Sequence, residues 1–180
     1  FEVHALSLIG LLVVEIENHP LFQVRMEALL PETHPLADKP SLTAADLAAE
    51  PLLGLWRGQP WRQQVDDFLR SGGARPEYAI ETRSSLMACQ LVREGAGVAI
   101  LDRLCAQAID LRGLVIRPLV PSRWILFGYI HQLRQPPSDN ASAFLDCVRR
   151  SVEAFRALSA ENADAVVPLW TGSAGGNGVP

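Results

Sequence analysis

Two short stretches of this chain carry side chains suited to holding a small ligand: Trp56-Arg57-Gly58-Gln59 and Thr82-Arg83-Ser84-Ser85. Each sets an arginine beside groups that donate or stack. A guanidinium fork matches a carboxylate bidentately, and an indole face attracts a cation or another ring. Hydroxyls of serine and threonine either reach a ligand or cap a helix. The chemistry offered is recognition of an anion, a small carboxylate, rather than the making or breaking of bonds. A plainer role stands beside each residue: Ser84 and Ser85 as a helix cap, Arg57 and Arg83 as solvated charges, Trp56 as packing, Gly58 as the hinge of a turn.

Other reactive side chains do not converge. His34, before Pro35, has no paired acid or nucleophile in the sequence and reads as a turn residue. Glu15 and Glu17 alternate as on a strand exposed on one side, not as an acid–base pair. The three cysteines, Cys89, Cys105 and Cys147, lack metal-ligand spacing and leave one unpaired, so neither a disulfide framework nor a zinc site is expected. Cys89 and Cys147 read as small apolar fillers on helical stripes. Glycine-rich dinucleotide and phosphate-loop patterns do not occur. The expectation is no catalytic residue, no metal and no cofactor.

What must position the two stretches is a set of strand-to-helix turns. In open α/β sheets, ligands lie beyond the carboxyl ends of the strands, against helix N-termini. Runs rich in β-branched residues predict strands at Leu12–Ile16, Arg25–Leu30, Pro51–Leu55, Tyr78–Thr82, Gly97–Leu101, Leu114–Pro118 and Trp124–His131. Helical spacing predicts Thr43–Ala49, Trp61–Ser71, Ser84–Arg93, Arg103–Ala108 and Asp139–Leu158. Trp56–Gln59 and Thr82–Ser85 then each follow a strand and open a helix. Ser84 to Leu101 is the plainest unit: a serine cap, a helix, a stop at Gly95 and Gly97, and a continuously apolar strand as expected where both faces are covered. In the last helix, Phe144, Leu145, Val148, Val152 and Phe155 form one stripe that should pack on the sheet.

Composition narrows the class. With 180 residues, 48% of them hydrophobic, the chain can bury a core. A formal net charge of −4 argues against binding nucleic acid by its own field. No apolar run approaches the roughly 20 residues of a membrane helix. Leu6–Ile16, the nearest candidate, contains Gly10 and reads as a short buried element. No secretion signal is seen. Free thiols suit a reducing cytoplasm. From Ser159 to Pro180 periodicity is lost, and disorder is expected.

Taken in order, LLPETHPLA (Leu29–Ala37), SLTAADLAAEPLLGL (Ser41–Leu55), WRQQVDDFLRSGGARP (Trp61–Pro76), LVREGAGVAILD (Leu91–Asp102) and LRGLVIRPL (Leu111–Leu119) resemble the effector-binding region of LysR-type transcriptional regulators. The resemblance implies an α/β fold like a type 2 periplasmic-binding protein, with two subdomains and a small-molecule cleft between them. It implies one nearly complete subdomain with a mixed, mainly parallel sheet, and a remnant of the other. The expected division is 1–24 for the remnant of subdomain I and 25–126 for subdomain II. A return strand and closing helix follow at 127–158, then a disordered tail at 159–180. The family's pattern would place an aspartate where Val13 stands, a departure that points to an N-terminally truncated reading frame.

In that family the loops at Trp56–Gln59 and Thr82–Ser85 line the effector cleft. DNA is reached only through a winged helix-turn-helix domain that this chain lacks, and the sensing regions pair as homo-oligomers. The peroxide-sensing branch carries redox cysteines where Pro60 and Leu69 stand, so that route is not expected. A non-functional truncated regulator and a solute-binding protein of the same fold are the alternatives.

Overall fold

Backbone satisfaction and side-chain alternation organise the chain, whose computed structural model describes residues 16–73 and 75–170. In order come β1 (Ile16–Pro31), β2 (Leu42–Thr43), α1 (Ala44–Leu47), β3 (Leu52–Leu55), α2 (Pro60–Ser71), β4 (Tyr78–Thr82) and α3 (Ser85–Arg93). Then follow β5 (Val98–Asp102), α4 (Arg103–Gln107), β6 (Leu114–Val120), β7 (Trp124–Gln132), α5 (Asp139–Arg156), α6 (Ala160–Ala165) and β8 (Val166–Pro168). The chain divides into two units, 24–125 and 1–23 with 126–180. The expected strand from Leu12, the element from Leu6, Glu15, Val13 and the last ten residues of the expected tail lie outside the described residues.

In the unit 24–125, strands run in the order β2-β6-β1-β5-β3-β4. The sheet is mixed. β3 lies parallel to β4 and β5, and β2 parallel to β6, whereas β1 is antiparallel to both its neighbours, β5 and β6. Period-2 alternation sorts the core into two layers. Met26, Ala28 and Leu30 of β1 and Val98 and Ile100 of β5 pack with Val65, Phe68 and Leu69 of α2. Leu29, Ala99 and Leu101 point the other way, to Ala88, Cys89 and Val92 of α3. The i, i+3, i+4 spacing of Val65, Phe68 and Leu69 is the stripe of a helix laid on a sheet. Gly97 is required where β5 meets β3: its φ is +148°, and a Cβ there would collide with the Pro51 carbonyl, which accepts the Val98 N–H at 3.0 Å.

Side-chain caps start most helices. Thr43 and Asp46 form a reciprocal capping box on α1, and Ser84, Asp102 and Ser138 cap α3, α4 and α5. α1 is shorter than the expected Thr43–Ala49. It ends at buried Leu47, and Pro51 disfavours helical backbone at Glu50.

The second unit differs more from expectation. β1 begins at Ile16 rather than Arg25, because residues before Gln23 find partners in β7 and β8; the Leu169 N–H donates to the Leu21 carbonyl at 2.7 Å. The expected disorder from Ser159 is corrected through Trp170. Ser159 caps α6, Asn162 is buried and its side chain donates to the Phe155 carbonyl at 3.3 Å, and Val166 is fully buried. The polar sequence of α6 concealed a capped helix that buries Asn162 and Ala165. On α5, Leu145 and Val152 are buried, but Phe144 is 67% exposed and Cys147 is exposed, so neither belongs to the packed stripe. α6 and β8 contact α5, and the buried face starts at Leu145.

Candidate anion-binding loops

The register of β3 and β4 builds the site. Leu55 pairs with Thr82 in the parallel ladder, and one residue on, the Trp56 N–H donates to the Thr82 carbonyl at 2.8 Å. The two predicted loops therefore leave the sheet side by side at its carboxyl edge. The Arg83 guanidinium lies over the Trp56 ring, 5.1 Å from its centroid. Arg57 is largely exposed, with its Nε 3.4 Å from a Glu81 carboxylate oxygen. Gly58 takes φ +91°, which a residue with a Cβ rarely adopts, and Gln59 leads into α2, whose first residue is Pro60. Gln59 makes no side-chain cap.

On the neighbouring loop, the Ser84 hydroxyl accepts the Met87 N–H at 3.3 Å, and the Ser84 N–H donates to the Thr82 hydroxyl at 3.2 Å. Ser84 thus fills its capping role. Ser85 opens α3 and is half-buried, and the Cys105 thiol of α4 is pushed up to about 12 by burial and then by Asp102. Cys89 is likewise pushed up to about 11 by burial, so both thiols stay protonated at neutral pH. Of the eight predicted residues, Trp56 meets Thr82 through the backbone and Arg83 through its ring, whereas Arg57 faces Glu81, and Gly58 and Gln59 set the turn.

Beneath the loops lies a network that sequence reasoning missed. Arg62 is 5% exposed and donates to the Leu55 carbonyl at 2.7 Å, to Glu81 at 3.0 Å and to Asp66 at 2.9 Å. Its guanidinium also stacks on Tyr78, 3.5 Å from the ring centroid. Burial works against this charge, but the Asp66 and Glu81 carboxylates outweigh it and raise its pKa. Tyr78 donates to Asp66 at 2.6 Å, and burial with that carboxylate drives its hydroxyl well above the ordinary phenol range. The sequence signal was the i, i+4 pair of Arg62 and Asp66 on an otherwise apolar helix face. A second buried cluster sits at the sheet centre, where Glu27 accepts from Arg25 at 2.7 Å and Arg103 at 2.9 Å.

His34 is not without an acid. Its Nδ1 accepts the Leu36 N–H at 3.2 Å, so Nε2 carries the proton toward Glu50, also 3.2 Å away. The pairing braces the predicted turn. A surface depression lined by Ala48, Glu50, Pro51, Glu77 and Tyr78 lies at the amino ends of β3 and β4, opposite the predicted loops.

Residues 11–153 match the family described as the LysR substrate binding domain. The chain belongs to that family. Its members are regulatory domains and not enzymes. Escherichia coli Transcriptional activator protein LysR is 30% identical over 128 residues, which are 71% of this chain and 41% of the relative. The chain thus spans less than half of that relative's length. The crystal structure of HinK, a LysR family transcriptional regulator from Pseudomonas aeruginosa, superposes with a TM-score of 0.63 at 28% identity, covering 76% of this chain and 48% of HinK. The effector binding domain of QuiR, solved in complex with shikimate, shares the fold, with a TM-score of 0.62 at 18% identity over 73% of this chain and 62% of its own. Among the described residues, no helix of this LysR-type domain is long and apolar enough to cross a membrane.

Proposed function

We propose that this LysR-type domain senses a small carboxylate held by Trp56–Gln59 and Thr82–Ser85, and that in the full-length regulator this binding modulates transcription. The observation that supports the reading is that two adjacent parallel strands deliver both arginines from their carboxyl ends, Arg83 over the Trp56 ring and Arg57 largely exposed beside Glu81. Two guanidinium groups supply a carboxylate with charge and paired donors, and the indole supplies an apolar face. Arg62, fully engaged below, fixes the backbone from which Arg57 projects. QuiR's complex with shikimate, a carboxylate, supports the ligand class. An effector bound here shifts populations by favouring one arrangement of the regulator, not by reacting.

The remaining parts of the reading follow from the family. DNA is contacted through a winged helix-turn-helix segment of the full-length protein, the sensing regions pair as homo-oligomers, and the protein works in the cytoplasm. The net charge of −4 is consistent with a domain that leaves DNA contact to another segment.

Thermal-shift and calorimetric titration with shikimate and benzoate as first probes, followed by a panel of aromatic and aliphatic carboxylates, test the proposal. At least one carboxylate should raise Tm saturably, with affinity falling about tenfold or more in R57A and R83A. Affinity unchanged in the double variant would move the site elsewhere, and no response across the panel would remove the anion reading.

A further inference from the structure

Away from those loops, three potential metal ligands meet on the unit that comprises 1–23 and 126–180. Glu17 and His19 are two apart on β1 and so share a face, and β7 brings His131 to it. The His19 and His131 Nε2 atoms are 2.8 Å apart. Glu17 oxygens lie 3.4 Å from His19 Nε2 and 3.7 Å from His131 Nε2. We propose that Glu17, His19 and His131 form a binding site for a divalent first-row transition metal, of which Zn²⁺ is the representative.

The tautomer of His131 is already set for it. His131 Nδ1 is 2.7 Å from the Gln132 carbonyl oxygen, which has no proton to give, so Nδ1 carries the hydrogen and a neutral His131 presents a bare Nε2 lone pair. That hydrogen bond to a backbone carbonyl is the usual orienting contact of a metal-bound imidazole. With His131 Nε2 as acceptor, the short His19–His131 contact needs a proton from His19 Nε2; a metal ion bound between the two rings takes that place, and the His19 proton moves to its Nδ1. Ring planes are held as well. Tyr129 stacks on His19 at 4.7 Å, and Gly128 lets β7 approach the His19 carbonyl where a Cβ would clash.

Spacing and donor type select the ion. Four-coordinate zinc with bonds of about 2.0–2.1 Å places neighbouring ligand atoms roughly 3.3 Å apart, and the three separations here bracket that value. Two imidazoles with one carboxylate suit zinc, copper, nickel or cobalt, and disfavour magnesium and calcium, which take oxygen. The side chains are 45%, 32% and 17% exposed for Glu17, His19 and His131, so an ion has an entry path and solvent can complete its coordination. A bound ion would clip β1 to β7.

The test uses the whole chain without a polyhistidine tag, stripped of metal and titrated with Zn²⁺ by calorimetry and thermal shift. One equivalent should bind and raise Tm. H19Q and H131Q should each weaken binding by roughly 100-fold and E17Q by about tenfold, while H34A leaves it unchanged. X-ray absorption on the Zn²⁺-loaded wild-type chain gives a readout that no variant's folding can disturb, and should count two imidazoles. No saturable binding, binding unaffected in H19Q and H131Q, or a coordination shell without two imidazoles would each overturn the proposal.

Discussion

The two strand-to-helix junctions at the site, β3 to α2 and β4 to α3, sit side by side on paired strands yet are secured in different ways. At β4 to α3 the fastening is local: Ser84 caps the helix and Thr82 receives the Ser84 N–H. At β3 to α2 there is no side-chain cap, and the turn depends on Gly58, Pro60 and the distant acceptors gathered by Arg62. The contrast between Arg57 and Arg62 is the instructive one. Their side chains are 82% and 6% exposed, so one arginine has water as its principal partner and the other has protein. Identical chemistry, five residues apart, gives one candidate ligand contact and one support.

Substitution of Arg62 should produce the largest effect of any change at these junctions. R62A leaves Asp66, Glu81 and the Leu55 carbonyl without their shared donor, and loss of a buried ion-pair partner costs about 3–5 kcal/mol. Urea unfolding should show that loss, while R57A stays within about 0.5 kcal/mol of wild type. R62K should recover little, since an ammonium cannot present the planar fork that spans these acceptors. Equal stability of R57A and R62A would end the distinction between the two arginines.

That pair also marks what the sequence could and could not convey. β-branched runs and serine caps exposed β4, β5 and α3 nearly to the residue, because local hydrogen bonding and alternation fix them. The two loops were legible for the same reason: each follows a strand and opens a helix. Arg62 was hidden because a charged residue on a helix reads as solvated until the tertiary structure buries it. Long-range pairing also hid the first half of β1, where Pro20 interrupts the pattern and β7 and β8 supply the partners. α6 was lost to polar composition, since only the fold reveals that Asn162 is buried and paired. His19 and His131 lie 112 positions apart, and no local spacing brings them together.

A smaller effect tests the uncapped junction through its backbone. G58A meets no neighbouring atom, so its cost is conformational alone and should be about 1–2 kcal/mol for a β-carbon held at φ +91°. Substituting the cap on the other side should cost less. S84A should lose about 1 kcal/mol, and S84D, which restores an acceptor, should regain most of it. If S84A instead destabilised the chain more than G58A, the local fastening of α3 would matter more than the turn geometry of α2. Both values come from the same urea titrations, so their order is a direct reading.

The smallest expected effect concerns a third junction, β2 to α1, which combines a local cap with a charge. Asp46 Oδ2 accepts the Thr43 N–H at 2.9 Å, and Lys39 pairs with Oδ1 at 2.5 Å. The Lys39 hydrogen bond first, then those from Thr43, lower the Asp46 pKa from 3.8 to about 2. Because the folded value lies below the unfolded one, this carboxylate stabilises the fold above about pH 4, and the contribution disappears as pH falls through about 2. D46N can keep cap hydrogen bonds but carries no charge. The difference in unfolding free energy between wild type and D46N should therefore be less than about 1 kcal/mol at pH 7 and shrink toward zero by pH 2. A gap that persisted undiminished at pH 2 would assign the stabilisation to hydrogen-bond geometry, and α1 would then join α3 as a junction held by its cap alone.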